Sequence, residues 1–330
     1  MTRPEQIQAF LAAHGRVAAS LTPLAQDASF RRYWRLSGAP PAVLMDAPPT
    51  HEDTSPFLAI GAALAAAGLA VPRVLAADTE QGLLLLEDFG DGLFPAALGQ
   101  HPAEPLFDAA TDALAVLGRA APPAGLPRWG GPEMTAAVAA TFLDWWWPAS
   151  FGAGPAPAIR AAFAAAMEDM LAPLAAQPAG LVHRDYWAGN LFWLPDQPAP
   201  RRVGIIDFQD AAIGSPAYDL VSLVQDARRD LPETLAIRQT ARLLAARPEL
   251  DAAAFQAAFA ICAAQRHLRV AALWVRLALR DSKPGYLIHG PRCWGLLAAA
   301  LRHPATAPLA AFLDRHVPAE RRCNPDRLAA

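Results

Sequence analysis

Lysine is almost missing from this chain: of 28 basic side chains in 330 residues, Lys283 alone is a lysine and the rest are arginine. Acidic residues number 31, so the formal charge is −3 and no basic excess exists to draw a nucleic-acid partner. Cysteine is scarce as well. Cys262, Cys293 and Cys323 are odd in number, far apart and without a CxxC or His/Cys cluster, which argues against a disulfide framework or a zinc site. Two core thiols and one tail thiol are expected instead. Long hydrophobic runs are lacking too. The longest uncharged apolar stretch, Phe57–Val71, contains Gly61 and Gly68, stops at Pro72, and falls short of the ~20 residues of a membrane span. Met1–Gly15 has no basic-then-apolar leader layout. A soluble, cytoplasmic protein is expected, a monomer or weak dimer with no membrane or nucleic-acid partner. What the chain does have is apolar mass. With 54% hydrophobic and 18% charged residues it can fill a large core, and its length suits two domains or one large two-lobed domain.

The first ninety residues read as a small mixed unit. Apolar positions at helical spacing cover 6–20, and Phe30–Leu36 alternates with aromatics as a strand does. Ala42–Met45 is a short apolar strand. Thr54 or Ser55 is expected to cap a helix over 56–68 with Pro56 at its start. Val71–Ala76 and Gly82–Leu86 complete the strands. From Glu87 onward the composition becomes Ala/Leu-rich and helical, with helices expected near 104–119, 133–147, 156–175, 216–228, 233–246, 251–280 and 291–302. Strand signals interrupt it only over 181–210, where a Pro-rich loop at 195–200 joins two short strands. The expectation is α+β and bilobal: a small mixed N-lobe with an antiparallel sheet over 1–88, and a larger, mostly helical C-lobe over 89–330.

Polar residues then cluster where strands end. His183-Arg184-Asp185 follows one strand, Asn190 precedes the next, and Asp207 closes a third. Phosphoryl transfer from a nucleotide asks for an oriented hydroxyl and for cations around the phosphates, with little covalent help. A carboxylate such as Asp185 can take the hydroxyl proton. An amide oxygen five residues on and a second carboxylate can hold Mg²⁺, which prefers oxygen ligands. The strand–loop–strand hairpin returns Asp207 to the side of Asn190.

This pattern resembles the catalytic segment of protein kinases, and more closely that of the aminoglycoside phosphotransferase and choline kinase-like family. Gln209 stands where the protein-kinase motif has glycine. The resemblance implies a protein-kinase-like fold, ATP and Mg²⁺ as cofactors, Asp185 as catalytic base, and Asn190 and Asp207 as metal ligands. It also implies supporting roles for His183 and for Asp219 in Tyr218-Asp219-Leu220. Leu86-Glu87-Asp88-Phe89 resembles the segment that bonds adenine through its backbone, at Glu87 and Phe89. The departure lies in the small lobe. Met45 occupies the expected place of the phosphate-binding lysine, and the helix over 56–68 has no acidic partner for one. The loss of both partners together is coherent, because one alone would leave an uncompensated charge in the cleft. Lys283 lies far along the chain and cannot substitute. Ser29 and Arg32 are the replacement candidates, since alternation puts Arg32 with Phe30, Trp34 and Leu36 on the face expected to point inward.

Four further segments, 27–33, 45–49, 207–211 and 276–287, are similar to bacterial anomeric kinases that phosphorylate the 1-hydroxyl of N-acetylmuramate and N-acetylglucosamine in peptidoglycan recycling. The similarity covers about residues 5 to 316 and includes the Met45 departure. A sugar suits the aromatic residues near the base, Trp187 before any of Trp145-Trp146-Trp147, because at most two of three consecutive helical tryptophans share a face. Arg184, Gln209 and Asp210 are candidates for hydroxyl, carboxylate or N-acetyl contacts. The residues leave other acceptors open, namely an aminoglycoside, a choline-like alcohol or homoserine, and also a catalytically silent nucleotide-binding pseudokinase.

Overall fold

The expected helices and strands occur in the expected order with their ends moved by a few residues, and unexpected short elements lie between and after them. A computed structural model describes residues 1–24 and 30–325. The chain begins with α1 (Arg3–Ala13), β1 (Leu21–Pro23), β2 (Arg32–Leu36), β3 (Ala42–Asp46), α2 (Ser55–Ala66), β4 (Val74–Asp78) and β5 (Leu83–Glu87). Next come α3 (Phe94–Ala97), α4 (Ala103–Leu117), β6 (Arg128–Trp129) and α5 (Gly131–Thr141). A π-helical turn, Phe142–Trp146, leads into α6 (Trp147–Phe151) and α7 (Pro157–Leu171). Four short strands follow: β7 (Gly180–Val182), β8 (Leu191–Trp193), β9 (Val203–Ile205) and β10 (Ala212–Gly214). The chain then runs through α8 (Ala217–Val224), α9 (Glu233–Ala246), α10 (Ala252–Arg280), α11 (Gly290–Ala300) and α12 (Ala307–His316).

Contacts divide the chain into two compact units: Met1–Ala124 with Ala188–Asp210, and Gly125–Trp187 with Ala211–Ala330. This division groups 89–124 and 188–210 with the first sheet, whereas the composition change falls at 88/89.

In the first unit five strands form an antiparallel sheet in the order β1-β2-β3-β5-β4. The apolar set of α1, Ile7, Phe10 and Leu11, closes over Leu36, Ala42, Leu44, Leu83 and Leu85, with Trp34 packed against them. Helix α1 starts earlier than its periodicity suggests because Glu5 accepts the Thr2 N–H at 2.7 Å, and it is over by Gly15, whose φ is 72°. Strand β1 has three exposed residues and no apolar alternation, so sequence reading had nothing to register there. No side chain of Thr54 or Ser55 caps α2; the Asp53 carboxylate takes the Ser55 N–H instead, at 2.8 Å. The β8–β9 hairpin joins this unit through Ile205 N–H, which donates to the Ala70 carbonyl at 2.8 Å, and Trp193 N–H, which donates to Gly92 at 2.6 Å.

The second unit is built around α10, which is buried along most of its length and packs against α5, α8 and α11. A three-stranded sheet, β6-β10-β7, carries the chain into the catalytic segment. Trp146 and Trp147 are core residues: Trp146 stacks on Phe142 at 4.9 Å and donates its indole N–H to the Cys323 carbonyl at 2.8 Å. Cys262 and Cys293 are buried, and Cys323 is partly exposed. No single helix among the described residues is long and apolar enough to cross a membrane.

Candidate active site

In the second unit, β7 delivers the chain directly into His183-Arg184-Asp185. Arg184 has φ 72°, a left-handed conformation that costs of order 1–3 kcal/mol for a side chain of this kind and persists only where neighbours enforce it. Asp219, buried on α8, enforces it. One carboxylate oxygen accepts the His183 N–H at 2.5 Å and the other the Arg184 N–H at 2.9 Å. Burial raises the Asp219 carboxyl above its ordinary range, while His183, the two N–H groups and Arg266 work in the opposite sense. His183 is itself buried, and its Nδ1 accepts the Asp185 N–H at 3.3 Å. The loop is therefore fixed from two sides, and the Asp185 side chain is left 47% exposed.

Behind that carboxylate stands a residue that sequence reasoning missed. Arg266 is buried on α10, and its guanidinium lies 3.3 Å from Asp185 Oδ1 and 3.3 Å from the Arg184 carbonyl. The signal was present: Gln265-Arg266-His267 is a polar triplet inside an otherwise apolar helical run, and all three side chains are buried. His267 is held neutral, pushed down to about 3 first by burial and then by the Arg266 and Arg292 charges, and it shares a 2.8 Å hydrogen bond with Gln225. The Arg184 guanidinium stacks 4.1 Å over the Trp129 ring. Trp187 N–H donates to the Asp185 carbonyl at 3.1 Å, and its ring carries the Arg228 guanidinium at 4.0 Å.

In the first unit, the β8–β9 pairing positions Asn190 and Asp207. Asn190 ends a 3-10 turn at the start of β8, and its carbonyl accepts the Ile206 N–H at 3.1 Å. Asp207 comes next, with φ 60°, and this turn leaves its Oδ2 3.5 Å from the Asn190 amide. Phe208 is the anchor: it is buried, stacks on Phe57 at 4.8 Å, and lies so close to α2 that a Cβ on Gly61 would meet its ring at 3.2 Å. Gln209 donates to Asp207 Oδ1 at 2.9 Å and reaches Asp210 at 3.5 Å. The Asn190 amide nitrogen faces this half-exposed carboxylate; with the amide turned over, the pair would offer a hard cation such as Mg²⁺ oxygen ligands only.

The arginine facing Asp207 is not the expected one. Arg31 is buried, 3.9 Å from Asp207 and 3.7 Å from Glu52, while Arg32 is exposed. The strand begins at Arg32 and Phe30 lies outside it, 63% exposed and stacked on His51. Trp34 and Leu36 do point to an apolar core, but it is the one under α1. The inward placement of Arg32 is thus corrected: it is exposed, although Trp34 and Leu36 enter the core. Tyr33 and Arg35 share the face opposite Trp34; burial pushes the Tyr33 hydroxyl up to about 12, and Arg35 pairs with Asp88 at 2.7 Å. Met45 is buried in β3 directly across from Tyr33. Glu87 N–H donates to the Arg73 carbonyl at 2.9 Å, and the Phe89 ring lies where a Cβ on Gly204 would fall, 2.7 Å away. Ser29 lies outside the described residues.

A strand-anchored carboxylate loop in one unit, and an amide–carboxylate pair at a hairpin end in the other, belong to the class of kinase-like phosphotransferases. The chain is a member of the phosphotransferase enzyme family, whose sequence pattern matches residues 20–255. It is similar to a Caulobacter vibrioides protein named N-acetylmuramate/N-acetylglucosamine kinase, with 37% identity over 95% of this chain and 96% of that one. A Pseudomonas putida protein of the same name is 35% identical over 88% and 87% of the two chains. In fold the chain is similar to a choline/ethanolamine kinase family protein from Mesorhizobium loti, with a TM-score of 0.63 at 17% identity, covering 95% of this chain and all of that one. The fold is α+β and kinase-like.

Proposed function

We propose that this protein is an ATP-dependent kinase that phosphorylates the anomeric 1-hydroxyl of N-acetylmuramate and N-acetylglucosamine, in the recycling of cell-wall sugars. The observation that carries the reading is the Asp185 carboxylate, half exposed on a loop that Asp219 and His183 hold in a strained conformation, in a chain whose close relatives bear that name. Asp185 accepts the proton of the 1-hydroxyl as its oxygen bonds to the γ-phosphorus. The bond from that phosphorus to the bridging oxygen breaks, and sugar 1-phosphate and ADP result. An anomeric hydroxyl is more acidic than an ordinary alcohol, which eases the proton transfer. Asn190 and Asp207 would hold Mg²⁺, whose charge, when bound, neutralises phosphate oxygens.

The nucleotide is assigned to the 1–88 lobe and the acceptor to 89–330, with adenine against the backbone of Glu87 and Phe89. Arg31, paired to Glu52, is assigned the phosphate contact that a lysine makes in ordinary kinases. Arg184 is left a structural part, given its stacking on Trp129. Trp187, Gln209 and Asp210 remain the candidates for sugar contacts. The protein is taken to work in the cytoplasm as a monomer or weak dimer. The test is ADP release over a panel of N-acetylated sugars with Mg-ATP, with phosphorus NMR to locate the new phosphate. Asp185→Asn should abolish turnover while leaving ATP binding in place. Absence of ADP release with both sugars from well-folded protein would remove the proposal.

A further inference from the structure

Close to the catalytic loop, within the second unit, Arg228 lies in an aromatic enclosure. Its guanidinium carbon is 4.0 Å from the ring centre of Trp187, 5.1 Å from that of Trp274 and 6.0 Å from that of Tyr286. Trp274 and Tyr286 stack on one another at 5.2 Å with their planes 10° apart. Three segments distant in sequence supply the walls: the catalytic loop, α10, and the turn Pro284–His289. The Trp187 N–H donates to the carbonyl of Asp185, so the enclosure adjoins the carboxylate that bears the reaction.

Ring faces hold a guanidinium in place and keep its flat edges available. Arg228 is half-buried, yet among the described residues its guanidinium makes no hydrogen bond or ion pair. Three nearby arginines are committed. Arg266 is bonded to Asp185 and the Arg184 carbonyl, Arg269 to the Tyr218 hydroxyl, and Arg292 to Asp230 and the Asp226 carbonyl. The nearest carboxylate, Asp226, uses Oδ1 on the backbone N–H of Arg228 at 2.8 Å, and its buried Oδ2 has no hydrogen-bond partner. The Arg228 fork is thus uncommitted to any protein acceptor among the described residues, and Asp226 offsets part of its charge from the backbone side.

We propose that Arg228 is the anion subsite of the acceptor pocket and takes a carboxylate of the substrate in a bidentate pair. This rests on the sugar-kinase reading, in which the carboxylate is the lactyl group of N-acetylmuramate. N-acetylglucosamine lacks that group and binds without the pair. A cage of tryptophan and tyrosine faces would otherwise suit a quaternary ammonium, but here a fixed cation already fills it. Choline-like and aminoglycoside acceptors are repelled, and the enclosure selects for an anionic sugar.

The test compares both sugars in wild-type protein, Arg228→Leu and Arg228→Lys, by steady-state ADP release and by calorimetric binding without ATP. Loss of a charge-assisted bidentate pair should lower the N-acetylmuramate/N-acetylglucosamine ratio of kcat/KM by at least about tenfold in Arg228→Leu, with partial recovery in Arg228→Lys. The same ratio of affinities should fall in the binding arm. An unchanged ratio in both arms overturns the subsite, even if both sugars are good substrates. If neither sugar is turned over but N-acetylmuramate binds in an Arg228-dependent way, the sugar-kinase reading fails and the subsite stands. If N-acetylmuramate does not bind at all, the subsite falls with it.

Discussion

Arg266 offers the sharpest test of how the catalytic loop is held. Its guanidinium is buried, lies 5.7 Å from the Tyr218 ring centre, and makes two hydrogen bonds, to Asp185 and to the Arg184 carbonyl, each of 3.3 Å. Charge-assisted hydrogen bonds of good geometry are ~2.7–2.9 Å long, so each contact belongs at the lower end of the range, near ~1.5 kcal/mol. Asp185 is 47% exposed, and solvent screening reduces its share to ~1 kcal/mol or less. Arg266→Met, which keeps the length and removes the charge, should therefore cost only ~1–3 kcal/mol of stability, dominated by the stranded Arg184 carbonyl. Its effect on turnover should be larger. A carboxylate free to rotate away from the acceptor hydroxyl loses the near-attack geometry, and a misplacement of about 1 Å is worth roughly 10²-fold in rate. The expected result is a kcat lowered by ~10–100-fold with the KM for ATP within about twofold, and partial recovery in Arg266→Lys, which retains charge but not the fork. Steady-state kinetics with a urea titration of each variant reads both quantities. A folded Arg266→Met enzyme with kcat within about threefold of wild type would show that Asp185 needs no such brace, because the predicted loss is at least tenfold.

Two other outcomes can be measured with the same preparations. His267 is held near 3 in the folded protein against an ordinary 6.5, so below pH 6.5 the unfolded chain binds a proton that the folded one refuses; stability is complete above that pH and falls by ~1.4 kcal/mol per unit on the way down, about 2 kcal/mol by pH 5. Denaturant midpoints at pH 7 and pH 5 should show this extra loss in wild type and not in His267→Gln, and equal losses in the two would contradict it. Arg31→Met should raise the KM for ATP by at least about tenfold, whereas Arg32→Ala, on an exposed position, should change it by less than about twofold. The reverse ranking would return the phosphate contact to Arg32.

Much of the fold could be read from the chain because its signals are local. The strand at Gly180–Val182 and the helix at Glu233–Ala246 fall where alternation and helical spacing place them. Strands β1, β6 and β10 were not read, since they carry no apolar pattern of their own and owe their form to a neighbouring strand. The catalytic motif was legible for a similar reason: Asp185, Asn190 and Asp207 are tied to strand ends by short spacings. The residues that hold or complement it come from far along the chain. Arg266 is separated from Asp185 by 81 positions, and Arg228, Trp274 and Tyr286 meet only when α10 and the turn after it fold back.

Arg31 and Arg32 show where a sound local rule misplaces a side chain: Arg32 is exposed and Arg31 is buried. Alternation along β2 correctly groups Trp34 with Leu36, and those residues do enter a core. The expectation that Arg32 would follow them inward does not hold. One face of the sheet is covered by α1 and is apolar, and the other carries polar side chains paired with carboxylates. Arg31 lies just ahead of the strand and faces Asp207 and Glu52; Tyr33 and Arg35 follow on that side. Met45, directly opposite Tyr33, is an apolar neighbour there where an ordinary kinase has its lysine. A cation and an acidic partner are thus both present in the first unit, supplied by a turn and by Glu52 ahead of α2 rather than by β3 and the helix itself. In the proposed reading the charge that lysine supplies in ordinary kinases comes instead from a guanidinium, a group that stays protonated even when buried and can grip two oxygens at once.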